Sequence, residues 1–198
     1  MLVIGITGGS GSGKSTVSKL FSKYGAESID ADVVYHDLLS DSDAMLRELR
    51  ERFPEAIKPD GRLSRKTLAG IVFSDKEALS DLNKIAHKFV IEETERRMQE
   101  LYCKNVQYIC IDAIALFESG LNSICDVTIG VVAPRATRIS RIIERDSLDP
   151  MSASARINAQ QLDDFYEERC DYMIENNENL EATEAKVSEI FDLITKGI

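Results

Sequence analysis

The stretch "LVIGITGGSGSGKSTV", residues 2–17, decides the reading of this chain. An apolar, β-branched run, residues 2–7, stops at a cluster of glycines and hydroxyl residues that ends in Lys14-Ser15-Thr16. The run is too short for a helix and reads as a buried parallel strand. Beyond it, Ser15 to Tyr24 carries Val17, Leu20 and Phe21 at helical spacing, and Gly25 ends that helix. Between strand and helix, the spacing Gly8-x4-Gly13-Lys14-Ser15 fits G-x-x-x-x-G-K-[ST]. Taken alone, the glycines make only a flexible turn. Between a strand and a helix they let backbone N–H groups converge on an anion. The expected phosphate-binding, and hence ATP-binding, residues are Gly8, Gly9, Ser10, Gly11, Ser12, Gly13, Lys14, Ser15 and Thr16. Lys14 is placed to reach the β- and γ-phosphates, and the Ser15 hydroxyl to ligate Mg²⁺.

Working outward, strands and helices alternate. Strands are expected at 26–30, 106–111 (ending in Asp112), 126–133 and 172–174. Residues 33–105 read as mostly helical, with one helix near 43–53, a turn at 58–64 and an amphipathic helix at 76–102 that carries Leu79, Leu82, Ile85, Ala86, Phe89 and Val90. Further helices are expected over 135–146, 152–169 and 180–196. The pattern predicts an α/β fold: a five-stranded parallel sheet covered by helices on both faces, in three layers. It predicts one domain over 1–198, with a helical insertion at 33–105 on the acceptor side and a lid at 135–165.

In such sheets ligands sit outside the carboxyl ends of the strands. After the second strand comes Asp30-Ala31-Asp32. In an extended chain the two carboxylates would point the same way. Asp32 is the candidate base that takes a proton from an acceptor hydroxyl, against the plainer role of capping the next helix; Asp30 is the weaker candidate. After the third strand, Asp112 is placed to hold Mg²⁺, while Phe117 and Glu118 could line an acceptor pocket or, for Phe117, simply pack. After the fourth strand, Arg138, Arg141 and Arg145 share a helical face, and Arg156 and Gln160 follow on the next helix. The arginines read as a lid that neutralises a transferring phosphoryl group, against a solvated stripe paired with Glu144 and Asp146. After the fifth strand, the carboxamides of Asn176 and Asn177 could read an adenine edge. His87, on the amphipathic helix, is a candidate substrate contact or an ordinary helix residue.

Composition bounds the function. The 198 residues carry a net charge of −10, which argues against a nucleic-acid or anionic-membrane partner. No apolar run approaches a membrane span, and the first residues lack the basic start of a signal peptide. Cys103, Cys110, Cys125 and Cys170 form no C-x-x-C pair and read as reduced thiols of a cytoplasmic protein. A guanine-reading N-K-x-D is missing: the sole Asn-Lys pair, Asn83-Lys84, lies in a helical stretch without the Asp. That sets a switch GTPase below a small-molecule kinase, with a catalytically weak ATP-binding protein as a third reading.

The order "TGGSGSGKST", "IDAD", "LFE", "RD" ahead of "ARINAQ", and "IENN" resembles the dephospho-CoA kinase family over nearly the whole chain. The phosphate loop is shared by many kinases; its combination with "IDAD" is far more specific. The resemblance implies transfer of the ATP γ-phosphoryl to the ribose 3′-hydroxyl of dephospho-CoA, with Mg²⁺, as the last step of CoA biosynthesis. The expected partners are ATP and dephospho-CoA, on a monomer or weak homo-oligomer. By motif, Asp32 takes the base role and Lys14 and Arg141 serve catalysis, Arg141 from the lid side. Three positions depart from the family pattern. Lys88 follows His87 where Pro is usual, Ala113-Ile114-Ala115 replaces x-Pro-Leu after Asp112, and Glu178 replaces a glycine after the Asn pair. The first two touch the acceptor side, which keeps open a divergent kinase of another nucleoside or nucleotide.

Overall fold

The computed structural model describes residues 1–177 and 179–196. Along the chain run β1 (Leu2–Thr7), α1 (Lys14–Ser22), β2 (Ala26–Asp30), α2 (Ala31–Asp41), α3 (Asp43–Arg52), α4 (Arg65–Ser74) and α5 (Lys76–Cys103). There follow β3 (Tyr108–Asp112), β4 (Val127–Val132), α6 (Arg135–Asp146), α7 (Pro150–Asn158), α8 (Asp163–Glu167), β5 (Tyr172–Glu175) and α9 (Leu180–Thr195). Two compact units result, one of residues 1–30 with 100–198 and one of residues 31–99.

The first unit holds a sheet of five parallel strands in the order β2-β3-β1-β4-β5. β1 lies at its centre, and Ile4 and Ile6 are fully buried. Side chains alternate across the strand. Ile4 and Ile6 pack with Val17, Leu20 and Phe21 of α1 and Val187 and Ile190 of α9. On the other face, a Cβ added to Gly5 would meet Cys125 Sγ at 2.8 Å and Leu116 Cδ2 at 2.9 Å. That face is closed by the 113–126 segment and by α8, so both faces are covered as the pattern predicts. At the opposite edge from the phosphate loop, Asp126 accepts the Val3 N–H at 2.8 Å and Asp171 accepts both the N–H and the hydroxyl of Thr128 at 2.8 Å. These carboxylates stitch the strand starts.

The second unit is helical and has its own core of Met45, Leu49, Phe53, Leu68, Val72 and Phe89. Leu79, expected on the apolar stripe of α5, is instead exposed. Ser42 and Ser64 cap α3 and α4. Lys88, where the family has Pro, lies mid-helix and pairs with Glu48 at 2.7 Å. A lysine keeps its N–H in the helix ladder, which a proline would break.

Two local readings are corrected. The helix expected over 152–169 is two helices. α7 starts earlier, with Pro150 in its first turn and Asp149 as its cap, and ends at Asn158. α8 resumes only at Asp163, and Gln160, expected on a helix, lies in the gap with its side chain on the glycine loop. The extended geometry expected for Asp30-Ala31-Asp32 is also absent. β2 ends at Asp30 and α2 begins at Ala31, so Asp32 stands in a first helical turn, and two-residue alternation does not apply.

No disulfide forms among the described residues. Burial pushes the thiols of Cys110, Cys125 and Cys170 up to about 12, so they stay protonated at neutral pH. Cys103 is exposed. Alkylation of the native protein at neutral pH should therefore label Cys103 alone, with the other three labelled only after denaturation; peptide mapping by mass spectrometry reads the result.

Candidate active site

The glycine loop lies at the carboxyl end of the central strand, where the sheet's neighbours diverge to β3 on one side and β4 on the other. Its backbone is forced into glycine-only geometry. Gly8 has φ 140° and a Cβ there would fall 2.1 Å from the Val131 carbonyl oxygen. Gly13 has φ 104°, caps α1, and leaves room for Asn176 Nδ2, 1.9 Å from where a Cβ would stand.

What shapes the loop is a set of donors to its carbonyls. The Gly9 carbonyl accepts from Ser12 N at 3.2 Å. The Ser10 carbonyl accepts from Arg138 Nε at 3.0 Å. Arg141 Nη1 donates to the carbonyls of Gly11 at 3.2 Å and Ser12 at 3.1 Å, and Asn176 Nδ2 donates to Ser12 O at 2.8 Å. Gly13 O takes the N–H groups of Thr16 and Val17. In a trans peptide the N–H points opposite to the carbonyl that precedes it. Tying the Ser10 and Ser12 carbonyls outward therefore turns the N–H groups of Gly11 and Gly13 inward. They face a cleft of about 410 Å³ lined by Gly11, Gly13, Lys14, Ser15, Thr16 and Arg141, with Glu144 and Arg145 at its rim. The cleft is large enough for a polyphosphate and carries the N-terminus of α1, a favourable place for an anion.

Ser15 and Asp112 come together as the sequence implied. Asp112, the last residue of β3, is 6% exposed, and its Oδ2 accepts from Ser15 Oγ at 3.3 Å and from Ser18 Oγ at 3.4 Å. Ser18 was not anticipated; its signal is its position one helical turn beyond Ser15. Hydroxyl and carboxylate are hard oxygen donors that suit Mg²⁺. No cluster of three or more His, Cys, Asp or Glu exists among the described residues. An ion here would share its coordination with nucleotide phosphates, as Mg²⁺ commonly does.

The arginine face divides. Arg138 is 5% exposed and serves as a buried strut against the loop, with Gln160 and Asp163 as its further partners. It is not a solvent-facing lid residue, because its guanidinium is spent on protein acceptors. Arg141 is half-buried and also reaches Asn176 O at 3.2 Å. Arg145 and Arg156 are exposed and both pair with Asp146, whose carboxyl the Arg145 hydrogen bond draws down to about 2. Asn176 is also reassigned. It is 6% exposed, its amide holds Ser12 O and its oxygen accepts from Thr183 Oγ1 at 3.0 Å, so it braces the loop rather than offering an edge to adenine. Thr183, on α9, carried no signal in sequence. Asn177 is exposed and pairs with Glu175 at 3.1 Å; Glu178 lies outside the described residues.

Phe117, expected to line an acceptor pocket, packs edge-on to Phe165 with ring centroids 6.0 Å apart, and Glu118 is exposed and accepts from Gln161 at 3.2 Å. Asp32 is exposed in the first turn of α2. His87 is half-buried on α5 in the second unit.

A parallel sheet with a G-x-x-x-x-G-K-S loop after its central strand, and an acid at the end of the neighbouring strand, defines the P-loop nucleotide-binding class. The family model for dephospho-CoA kinase matches residues 2–182, and the chain belongs to that family. The curated dephospho-CoA kinase of Syntrophotalea carbinolica is 34% identical, covering 100% of this chain and 94% of that protein. That of Corynebacterium glutamicum is 37% identical, over 96% of this chain and 98% of that protein. The solved dephospho-CoA kinase of Campylobacter jejuni has a TM-score of 0.67 at 26% identity, covering 98% of each chain.

Arg141→Lys keeps the charge but not the planar fork that bridges the Gly11, Ser12 and Asn176 carbonyls. The expected outcome is a KM for ATP raised about ten-fold or more in steady-state assays, since a charged hydrogen bond contributes about 1.5–3 kcal/mol.

Proposed function

We propose that this chain transfers the γ-phosphoryl group of ATP to the ribose 3′-hydroxyl of dephospho-CoA, giving CoA and ADP within CoA biosynthesis. The observation that carries the proposal is the loop from Gly9 to Gly13, whose carbonyls are tied outward so that N–H groups face the cleft beside Lys14 and Ser15. Family membership supports the acceptor.

In the proposed mechanism the loop N–H groups and Lys14 hold the β- and γ-phosphates, and Thr16 sits at the start of α1 beside them. Mg²⁺, held by the Ser15 hydroxyl with Asp112 behind it, would neutralise phosphate charge. Asp32 orients the 3′-hydroxyl and accepts its proton. A bond forms between that oxygen and the γ-phosphorus, the bond to the β,γ-bridging oxygen breaks, and ADP leaves. Arg141, anchored on the loop, adds positive charge beside the phosphates. Phe117, Glu118 and His87 are assigned to the acceptor, Asn177 to the nucleotide, and Arg145 and Arg156 to a mobile rim. No helix among the described residues is long and apolar enough to cross a membrane. A cytoplasmic location fits the free thiols.

Release of ADP from ATP and Mg²⁺ should depend on dephospho-CoA and yield CoA. Strong turnover with adenosine, uridine, a nucleoside monophosphate or shikimate in the same panel, and none with dephospho-CoA, would move the acceptor and keep the chemistry. Asp32→Asn should lose at least two orders of magnitude in kcat while ATP binds within about three-fold of normal, because general-base catalysis contributes about 10²–10⁴-fold. Near-normal turnover of that variant removes Asp32 from the base role.

A further inference from the structure

We infer that Gln160 is a positioning residue for the phosphates of the nucleotide, acting through Ser10, and that Arg138 fixes the orientation in which it does so. The inference rests on the nucleotide reading of the loop and goes beyond it.

Three polar atoms of Ser10 are held by these two side chains. Gln160 Oε1 accepts the Ser10 N–H at 2.8 Å, and Gln160 Nε2 donates to Ser10 Oγ at 2.9 Å. Arg138 Nε donates to the Ser10 carbonyl at 3.0 Å. Arg138 Nη2 donates to the same Gln160 Oε1 at 3.1 Å. Two N–H donors meeting on one atom identify that atom as the carboxamide oxygen, so the amide cannot flip without facing donor to donor. Ser10 is 7% exposed and Arg138 5% exposed, so water does not compete well for these bonds. The pair also closes over Gly9, where a Cβ would lie 2.0 Å from Arg138 Nη2 and 3.0 Å from Gln160 Oε1.

The consequence follows along the backbone. Ser10 opens the turn whose next peptides carry the Gly11 and Gly13 N–H groups into the cleft. A glycine-rich turn has many conformers of similar energy, and its phosphate-binding form must be selected in advance. The other ties to the loop act on carbonyls. Gln160 is the side chain that holds an N–H, and it holds the first residue of the turn at two points. It comes from the gap between α7 and α8, outside the helix ladder, so its side chain is free of a helical rotamer constraint.

The experiment compares Gln160→Met and Gln160→Glu with the unaltered protein. Binding of adenosine, ADP and ATP is read by titration calorimetry, the acceptor KM by ADP release, and stability by thermal melting. Methionine matches the volume but leaves the Ser10 N–H and Arg138 without their shared acceptor. Expected for Gln160→Met is about ten-fold weaker binding of ADP and ATP, with adenosine and acceptor KM within two-fold. Glutamate keeps an acceptor for the Ser10 N–H and for Arg138, and the Ser10 hydroxyl becomes the donor. Expected for Gln160→Glu is recovery to within about three-fold. Two results overturn the proposal: ADP and ATP binding unchanged in Gln160→Met with only the melting temperature lowered, or adenosine weakened as much as ADP. Failure of the unaltered protein to bind ADP would instead overturn the nucleotide reading of the loop, and this proposal with it.

Discussion

Between Gly9 and Gly13 five consecutive backbone carbonyls are each given a donor. The donors come from the loop and α1 themselves, from α6 and from the segment after β5. A peptide chain so rich in glycine loses more entropy on ordering than any other, and an isolated loop of this kind would not hold one shape. Each charged donor contributes about 1.5–3 kcal/mol when its partner is shielded from water. The sheet fixes where those donors stand: β1 at the centre delivers the loop, and β4 beside it delivers α6. The strand order and the anion cradle are therefore one constraint seen at two scales.

That constraint explains where a chain of net charge −10 spends its arginines. Arg138 and Arg141 face carbonyl oxygens of the loop, so their charge stands next to the place where phosphates would lie while their donors stay occupied. Positive charge fixed in advance costs no reorganisation when a phosphoryl group moves. Lys14 differs in kind, since an ammonium is a point charge on a flexible stem and a guanidinium is a planar fork.

The sheet, the phosphate loop and the pairing of Ser15 with Asp112 were legible in the sequence because each depends on short-range order. An apolar run of strand length, glycines at fixed offsets and an acid ending a strand all carry their own signal. The role of Arg138 was not legible, since i, i+3, i+7 spacing states that three arginines share a face and not that the first faces inward onto the loop. Asn176 misled for a related reason: a carboxamide has the same donor and acceptor whether it meets adenine or the Ser12 carbonyl, and only its 6% exposure decides. Asp32 was placed by strand alternation, which ends where the helix begins one residue earlier. The role of Gln160 was hidden because its partner, Ser10, lies 150 positions away.

The buried struts also limit how the 135–165 segment can move. Lifting all of it as one lid would draw Arg138 and Gln160 off Ser10, and Arg141 off Gly11, Ser12 and Asn176. It would leave buried carbonyls unpaired, each at a cost of about 1–3 kcal/mol, and it would release the loop at the moment phosphates need it. Exposed pairs carry no such penalty, because water replaces a lost partner. Arg145 and Arg156, which meet on the exposed face of Asp146, can part and re-form their bonds with little loss. The motion open to this segment is therefore at its far end, around the α6–α7 corner. The first turns of α6 stay with the loop as part of the rigid floor of the cleft.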